Sequence, residues 1–311
     1  MAVFSSAPVR TQGSFGTSNN RMQAFPNFQH LFRIAAATLL FTMASAMAGA
    51  ESSAAMQTAK FEPTTIELGY RSMYNLDFEA AHHQFDAWQR LHPDDPMGPV
   101  SHAAAFLFDE FARLGVLESE LFVDDHAFDD RKKQKPDAGV KQKFQSELDE
   151  SDRLAGDALR KQPDDANAQF ARVLAMGLRS DYAALIEKRD LAAISYTKQG
   201  RQLAEQLLKQ KPDDYDAYLA VGVENYLAGI KPAPVRWLLQ MGGVQTDKEQ
   251  GIQELQQVAQ HGDLLAPFAK LLLAVAALRD KDTGKACGLL HELAGQYPRN
   301  PLYSREMYRC R

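Results

Sequence analysis

Few residues in this chain have the types and spacing that chemistry requires. The stretch His291-Glu-Leu-Ala-Gly295 opens like the helix of a zinc protease. Such a helix needs a second histidine four residues after the first, so that both imidazoles share one face. Gly295 occupies that place, so a metal here would lack its second imidazole ligand. His82 and His83 are adjacent, and on a helix they point about 100° apart, too far to share one ion. One is expected to pack and the other to face water. Asp124, Asp125, His126, Asp129 and Asp130 form an oxygen-rich run of the kind that holds a hard cation. It lacks the glycine and ligand spacing of a calcium loop and reads as a solvated inter-helix connection, as does the basic run that follows it. The chain has no G-x-S-x-G, no C-x-x-C, no phosphate loop and no G-x-G-x-x-G. The expectation is a protein without catalytic residues, bound metal or cofactor.

With chemistry so sparse, the elements that would position a site carry more information. Three short phrases recur: Pro93-Asp94-Asp95, Pro163-Asp164-Asp165 and Pro212-Asp213-Asp214, with a relative at Pro298. Apolar or small residues at helical spacing precede each, such as Ala81, Phe85 and Trp88, or Ala286, Leu290 and Leu293. Basic or amide residues close each run, which suits a helix C-terminus. Proline then ends the helix, because it lacks an N–H and restricts the residue before it. An aspartate starts the next helix by accepting a bond from an orphan N–H. Thr64-x-x-Glu67 and Thr246-x-x-Glu249 have the form of capping boxes, and Pro136-Asp137 opens a long helix that runs to Gln162.

A 34-residue frame fits this punctuation. Counted back from Pro93, it places Leu68-Gly69 in a first helix, Asp77-Phe78 at a turn, and Ala81 and Phe85 in a second helix. Counted back from Pro298, it places Leu273-Ala274, Asp282, Ala286 and Leu290 likewise. After Pro212, Tyr218, Val221, Gly222 and Tyr226 take the places of a first helix. In these positions the chain resembles the tetratricopeptide repeat, a helix–turn–helix unit of this period with small residues where its two helices meet. The resemblance implies an all-α fold: an α-solenoid of about five such hairpins wound as a right-handed superhelix. The units fall at roughly 60–95, 96–165, 166–214, 215–262 and 263–300, with a helical stub from Pro301. The second and third are longer than the ordinary repeat, and the frame is clearest in the first, fourth and fifth.

The resemblance also implies where a partner would bind. The first helices of stacked repeats line a concave face. Carried onto this chain, that pattern selects Ile66, Tyr70, Met73 and Tyr74, then Leu107 and Phe108, then Leu219, Val223, Tyr226 and Leu227. The lysines and asparagines that clamp an acidic C-terminal peptide in this family are absent from these places. The surface implied is apolar and aromatic, suited to a protein or peptide segment. Tyrosines at helical spacing also suit plain core packing. Lys231–Val244 interrupts the fourth unit with two prolines, Trp237-Leu238-Leu239 and Gly242-Gly243. It reads either as a protruding apolar finger, for a partner or a membrane interface, or as a short helix folded back onto the array. Two functions follow: a non-catalytic binding scaffold that uses the groove, or an accessory subunit of an envelope assembly docked through Trp237. A dispersed metal or carboxylate site ranks behind both.

The N-terminal region is expected to be removed. Arg33 flanks an apolar stretch from Ile34 to about Met43, and Ala48-Gly49-Ala50 follows. That is the pattern of a secretory signal peptide over residues 1–50, with Met22 as an alternative start. The apolar stretch is shorter than the roughly 20 residues of a membrane span. Residues 51–60 read as a short linker and 61–311 as the helical domain, in the periplasm or secreted. The whole chain carries a net charge of −5, and residues 1–50 hold three arginines and no acid. The remainder is therefore more acidic still, which argues against nucleic acid or an anionic membrane as the main partner, though a local basic patch remains compatible. Two cysteines, Cys287 and Cys310, do not form a disulfide framework and are expected as buried or free thiols rather than a bond.

Overall fold

The computed structural model describes residues 64–116, 133–231, 236–237, 240–241 and 246–307, all within one compact unit. The expected signal peptide and linker, the Asp124–Asp130 run and Cys310 lie outside these residues. The described chain is all-α, with no strand. It is built as five helix hairpins. Helices α1 (Thr65–Tyr74) and α2 (Phe78–Leu91) form the first. Helices α3 (Met97–Leu114) and α4 (Ala138–Lys161) form the second. Helix α5 (Ala166–Asp181), a π turn (Tyr182–Ile186) and α6 (Asp190–Gln210) form the third. A 3₁₀ turn (Tyr215–Ala217) leads into α7 (Tyr218–Gly229), which pairs with α8 (Lys248–His261). Helices α9 (Ala266–Arg279) and α10 (Thr283–Gln296) form the fifth, and α11 (Pro301–Met307) ends the array. Each helix packs on the one before it and the one after it.

Aspartates start many of these helices. Asp77, Asp137, Asp165, Asp247 and Asp282 each accept a bond from a first-turn N–H, meeting a donor that has no intrahelical partner. Thr64 and Glu67 make the reciprocal capping box. At the fourth hairpin the cap falls one residue later than the sequence suggests. Asp247 takes the place expected for Thr246 and bonds the Gln250 N–H at 3.0 Å, because its carboxylate is the stronger acceptor at a positive helix end.

Small residues let the helices of a hairpin touch. Gly69 faces the Phe85 ring across the first. Gly222 faces Gly251 and Leu255 across the fourth, as the repeat frame requires. One continuous core runs from Ile66 to Ala269, and a smaller cluster around Leu290, Leu293 and Tyr303 finishes the C-terminal end. Cys287 is half-buried on α10 and is disulfide-bonded, which corrects the expectation of a free thiol. Composition counts the thiols but does not say whether two of them meet, which needs the Cβ–Cβ approach that only the fold supplies.

Candidate interaction surface

The first and fifth hairpins meet. The Tyr74 hydroxyl donates to the Leu264 carbonyl at 3.0 Å, and the Asn300 amide donates to the Tyr74 carbonyl at 2.9 Å. The Tyr74 and Tyr297 ring centroids lie 5.5 Å apart. Outside this buried contact, Arg299 donates its N–H to the Asn75 side chain at 3.2 Å and pairs with Asp77 at 2.9 Å. Further in, Phe108 of the second hairpin meets Phe268 of the fifth edge to face, with centroids 5.7 Å apart.

This closure decides the fate of the expected groove residues. Tyr70, Met73 and Tyr74 are core, at 3%, 1% and 5% exposure. Tyr70 packs edge-on against Phe85, and burial pushes its hydroxyl up to about 12. Ile66, Leu107 and Tyr226 are likewise buried, while Phe108, Leu219 and Val223 are half-buried. The helical stripe is real, but other parts of the same chain cover most of it. Only Leu227 and Trp237 of the selected residues stand open, at 50% and 63%.

Asp216 anchors the interior near this closure. Its carboxylate accepts the Leu264 and Leu265 N–H groups at 2.8 and 3.1 Å, tying the start of the fourth hairpin to the start of the fifth. Burial raises its pKa to about 6 despite both bonds. A second polar bridge holds α6, α7 and α8 together. Arg201 donates to the fully buried Asn225 at 3.0 Å, and Asn225 donates to Glu254 at 2.7 Å.

The histidines of α2 separate as expected: His83 is exposed and His82 is half-buried. Sequence reasoning did not find the partner of His82, which is His102 of α3. Their Nδ1 atoms are 2.7 Å apart, and His102 Nε2 lies 3.3 Å from Asp86. With His102 Nε2–H donating to Asp86, His102 Nδ1 accepts from His82 Nδ1–H. Desolvation and the neighbouring ring lower His82 to about 4. Glu147 of α4, close to Asp86, is desolvated and raised to about 7. Among the described residues no group of three His, Cys, Asp or Glu is arranged to hold a metal ion.

Antiparallel helices place every turn within a hairpin on one edge of the array and every loop between hairpins on the other. The two edges differ. The inter-hairpin edge carries exposed Asp94, Asp164, Asp213 and Asp263. The other carries the longer connections of the second, third and fourth hairpins. Two of these touch: the Gln134 N–H donates to the Ile186 carbonyl at 3.0 Å, and Lys141 pairs with Glu187 at 2.7 Å. Large exposed apolar side chains lie at this edge: Leu191 and Ile194 near the start of α6, Leu227 on the last turn of α7, then Trp237 and Met241. Trp237 and Met241 are each in helical conformation and exposed. Among the described residues, Leu91 is the one exposed large hydrophobic at the opposite edge.

No family model and no curated protein matches this chain. Among solved structures, a thermophilic TPR protein of Thermus thermophilus is similar over 79% of this chain and 96% of its own, at 13% identity and a TM-score of 0.43. The all-α repeat architecture rests on the hairpins themselves.

Proposed function

We propose that the protein is a non-catalytic interaction scaffold of tetratricopeptide type, exported from the cytoplasm, that docks a partner through the edge carrying its intra-hairpin connections. The observation that carries this reading is the contrast in exposure. The concave aromatic residues are buried, whereas Leu191, Ile194, Leu227, Trp237 and Met241 are open on one edge. Exposed apolar side chains gathered on one edge mark a contact surface, and insertions between repeat helices commonly map to the binding face. Of the two functions drawn from the sequence, this favours docking through the Trp237 region over capture in a groove. The export pattern before residue 51 supports a role in the envelope or outside the cell.

A photo-crosslinking amino acid in place of Trp237, compared with one in place of Asp164 on the opposite edge and one in place of Phe108, tests the reading in intact cells. A reproducible adduct from position 237 and none from 164 or 108 is expected. Adducts from position 108 with none from 237 would return the binding site to the concave face.

A further inference from the structure

The junction between the first two hairpins holds a pair of imidazoles where the repeat frame asks only for apolar packing. His102 of α3 is 9% exposed and meets the Phe85 ring edge-on, with centroids 5.6 Å apart. The His82 ring of α2 lies within 12° of parallel to it, and its centroid is 4.2 Å from that of Phe106. At 2.7 Å between the Nδ1 atoms, one nitrogen must carry a hydrogen and the other a lone pair. Asp86 of α2, 3.3 Å from His102 Nε2, takes the Nε2 hydrogen and leaves the His102 Nδ1 lone pair facing His82. Asp86 favours charge on both rings, but its side chain is 60% exposed, so solvent screens much of that attraction. Two further groups come from α4. Lys143 stands 5.5 Å over the Phe106 ring and opposes a charge on His82. Glu147 faces Asp86, with Glu150 beside it paired to Arg153.

We infer that the His82–His102 pair is an acid-operated latch between the first hairpin and the second, a device independent of the docking edge. The closed pair accepts one added proton without breaking, because His82 protonated at Nε2 still donates from Nδ1 to His102. A second proton, on His102 Nδ1, sets two N–H groups and two cations face to face at hydrogen-bond distance. The rings must then separate, and α2 parts from α3. Parted rings return toward the ordinary histidine value of about 6.5, whereas the closed packing holds His82 at about 4 and lowers His102 by burial. Opening therefore takes up protons as pH falls below about 6.5, up to two at the rings. Glu147 works in the opposite direction. Desolvation raises it from 4.5 to about 7 in the packed state, so opening releases its proton between those values and damps the latch. The first hairpin keeps its second attachment, Tyr74 bonded to Leu264 and Asn300, so it loosens on one side without leaving the array. Opening uncovers the Phe106 ring on which His82 packs.

Amide hydrogen exchange of the full chain, read by mass spectrometry between about pH 7 and pH 4.5, tests this across the range in which the rings titrate. Peptides of α2 are compared with peptides of α8 from the same sample, which removes the pH dependence of the exchange chemistry itself. Below pH 6.5 two protons taken up by the rings and one released by Glu147 leave a net uptake of one. Protection of α2 relative to α8 should then fall about tenfold per pH unit, and more steeply in Glu147→Gln. His82→Phe keeps a ring against Phe106 and cannot take a proton. Uptake at His102 and release at Glu147 then cancel, and the relative protection of α2 should stay nearly flat. Constant relative protection in the wild type, the same acid loss in His82→Phe, or equal loss in α2 and α8, the mark of global acid unfolding, would each overturn the inference.

Discussion

The glycine crossing of α7 and α8 gives the sharpest test of the packing. A Cβ built at Gly251 would stand 2.5 Å from the Tyr226 nitrogen, 2.8 Å from the Gly222 carbonyl oxygen and 3.0 Å from the Tyr226 Cα. All three are backbone atoms of the facing helix, so no side-chain rotation relieves them. Restoring ordinary contact requires the helices to part by about 1 Å at their closest point, through a core packed as densely as a crystal. At Gly222 the nearest atoms are Gly251 O, Leu255 Cγ and Leu255 N, all at 3.1 Å, and a few tenths of an ångström suffice. Gly177 on α5 has nothing within 4 Å. Replacing a helical glycine by alanine gains about 1 kcal/mol of propensity, and overpacking costs about 1–3 kcal/mol. Gly177→Ala should therefore stabilise by up to about 1 kcal/mol, Gly222→Ala should fall near neutral, and Gly251→Ala should lose up to about 2 kcal/mol net. For a domain of this size each kcal/mol moves Tm by about 2–4 °C. Thermal melts followed by circular dichroism would show the order Gly177→Ala, Gly222→Ala, Gly251→Ala from highest to lowest. Gly251→Ala melting as high as Gly177→Ala would refute the helix crossing.

Other consequences follow from the same structure. Gly222→Leu must fit four side-chain carbons into the crossing and should cost about 1–3 kcal/mol, read as a lower Tm. Asp216 has its pKa raised from 3.8 to about 6, so the folded state binds this proton more tightly than the unfolded chain. Its contribution is fully present below pH 4 and is lost as pH rises through 6, about 3 kcal/mol in all. Asp216→Asn should remove that component from the Tm–pH profile, and an unaltered profile would show that Asp216 is not desolvated. His82 shifts the other way, since its lowered pKa gives stability above about 6.5 that is lost toward pH 4; imidazole NMR should find a single proton shared by His82 and His102 over that range, whereas two independent midpoints near 6.5 would separate the rings. Tyr74→Phe deletes the buried bond to Leu264 and should cost about 1–2 kcal/mol, while Arg299→Glu breaks only an exposed pair and should cost about 1 kcal/mol or less. Equal losses in denaturant titrations would mean the meeting of the first and fifth hairpins is not buried.

Local rules made the hairpins legible without a structure. Proline stops, aspartate caps and apolar spacing act over four or five residues, so Ala81 with Phe85 and Gly222 with Tyr226 could be assigned to their helices from the chain alone. The same locality explains the one-residue shift from Thr246 to Asp247, since two adjacent capping residues compete and only the packed turn selects one. Helical periodicity identifies the stripe that must be covered but not what covers it. Tyr70 and Tyr74 share a face in any reading; that the face is closed depends on Leu264 and Asn300, 190 and 226 residues away from Tyr74. His102 became the partner of His82 for the same reason, across twenty residues and a helix–helix contact. Net charge shows the same limit. Composition establishes that the chain is acidic, whereas the placing of exposed Asp94, Asp164 and Asp213 on one edge and of exposed Asp137, Asp190 and Asp247 beside Trp237 on the other exists only once alternating helices set every second turn on the same side.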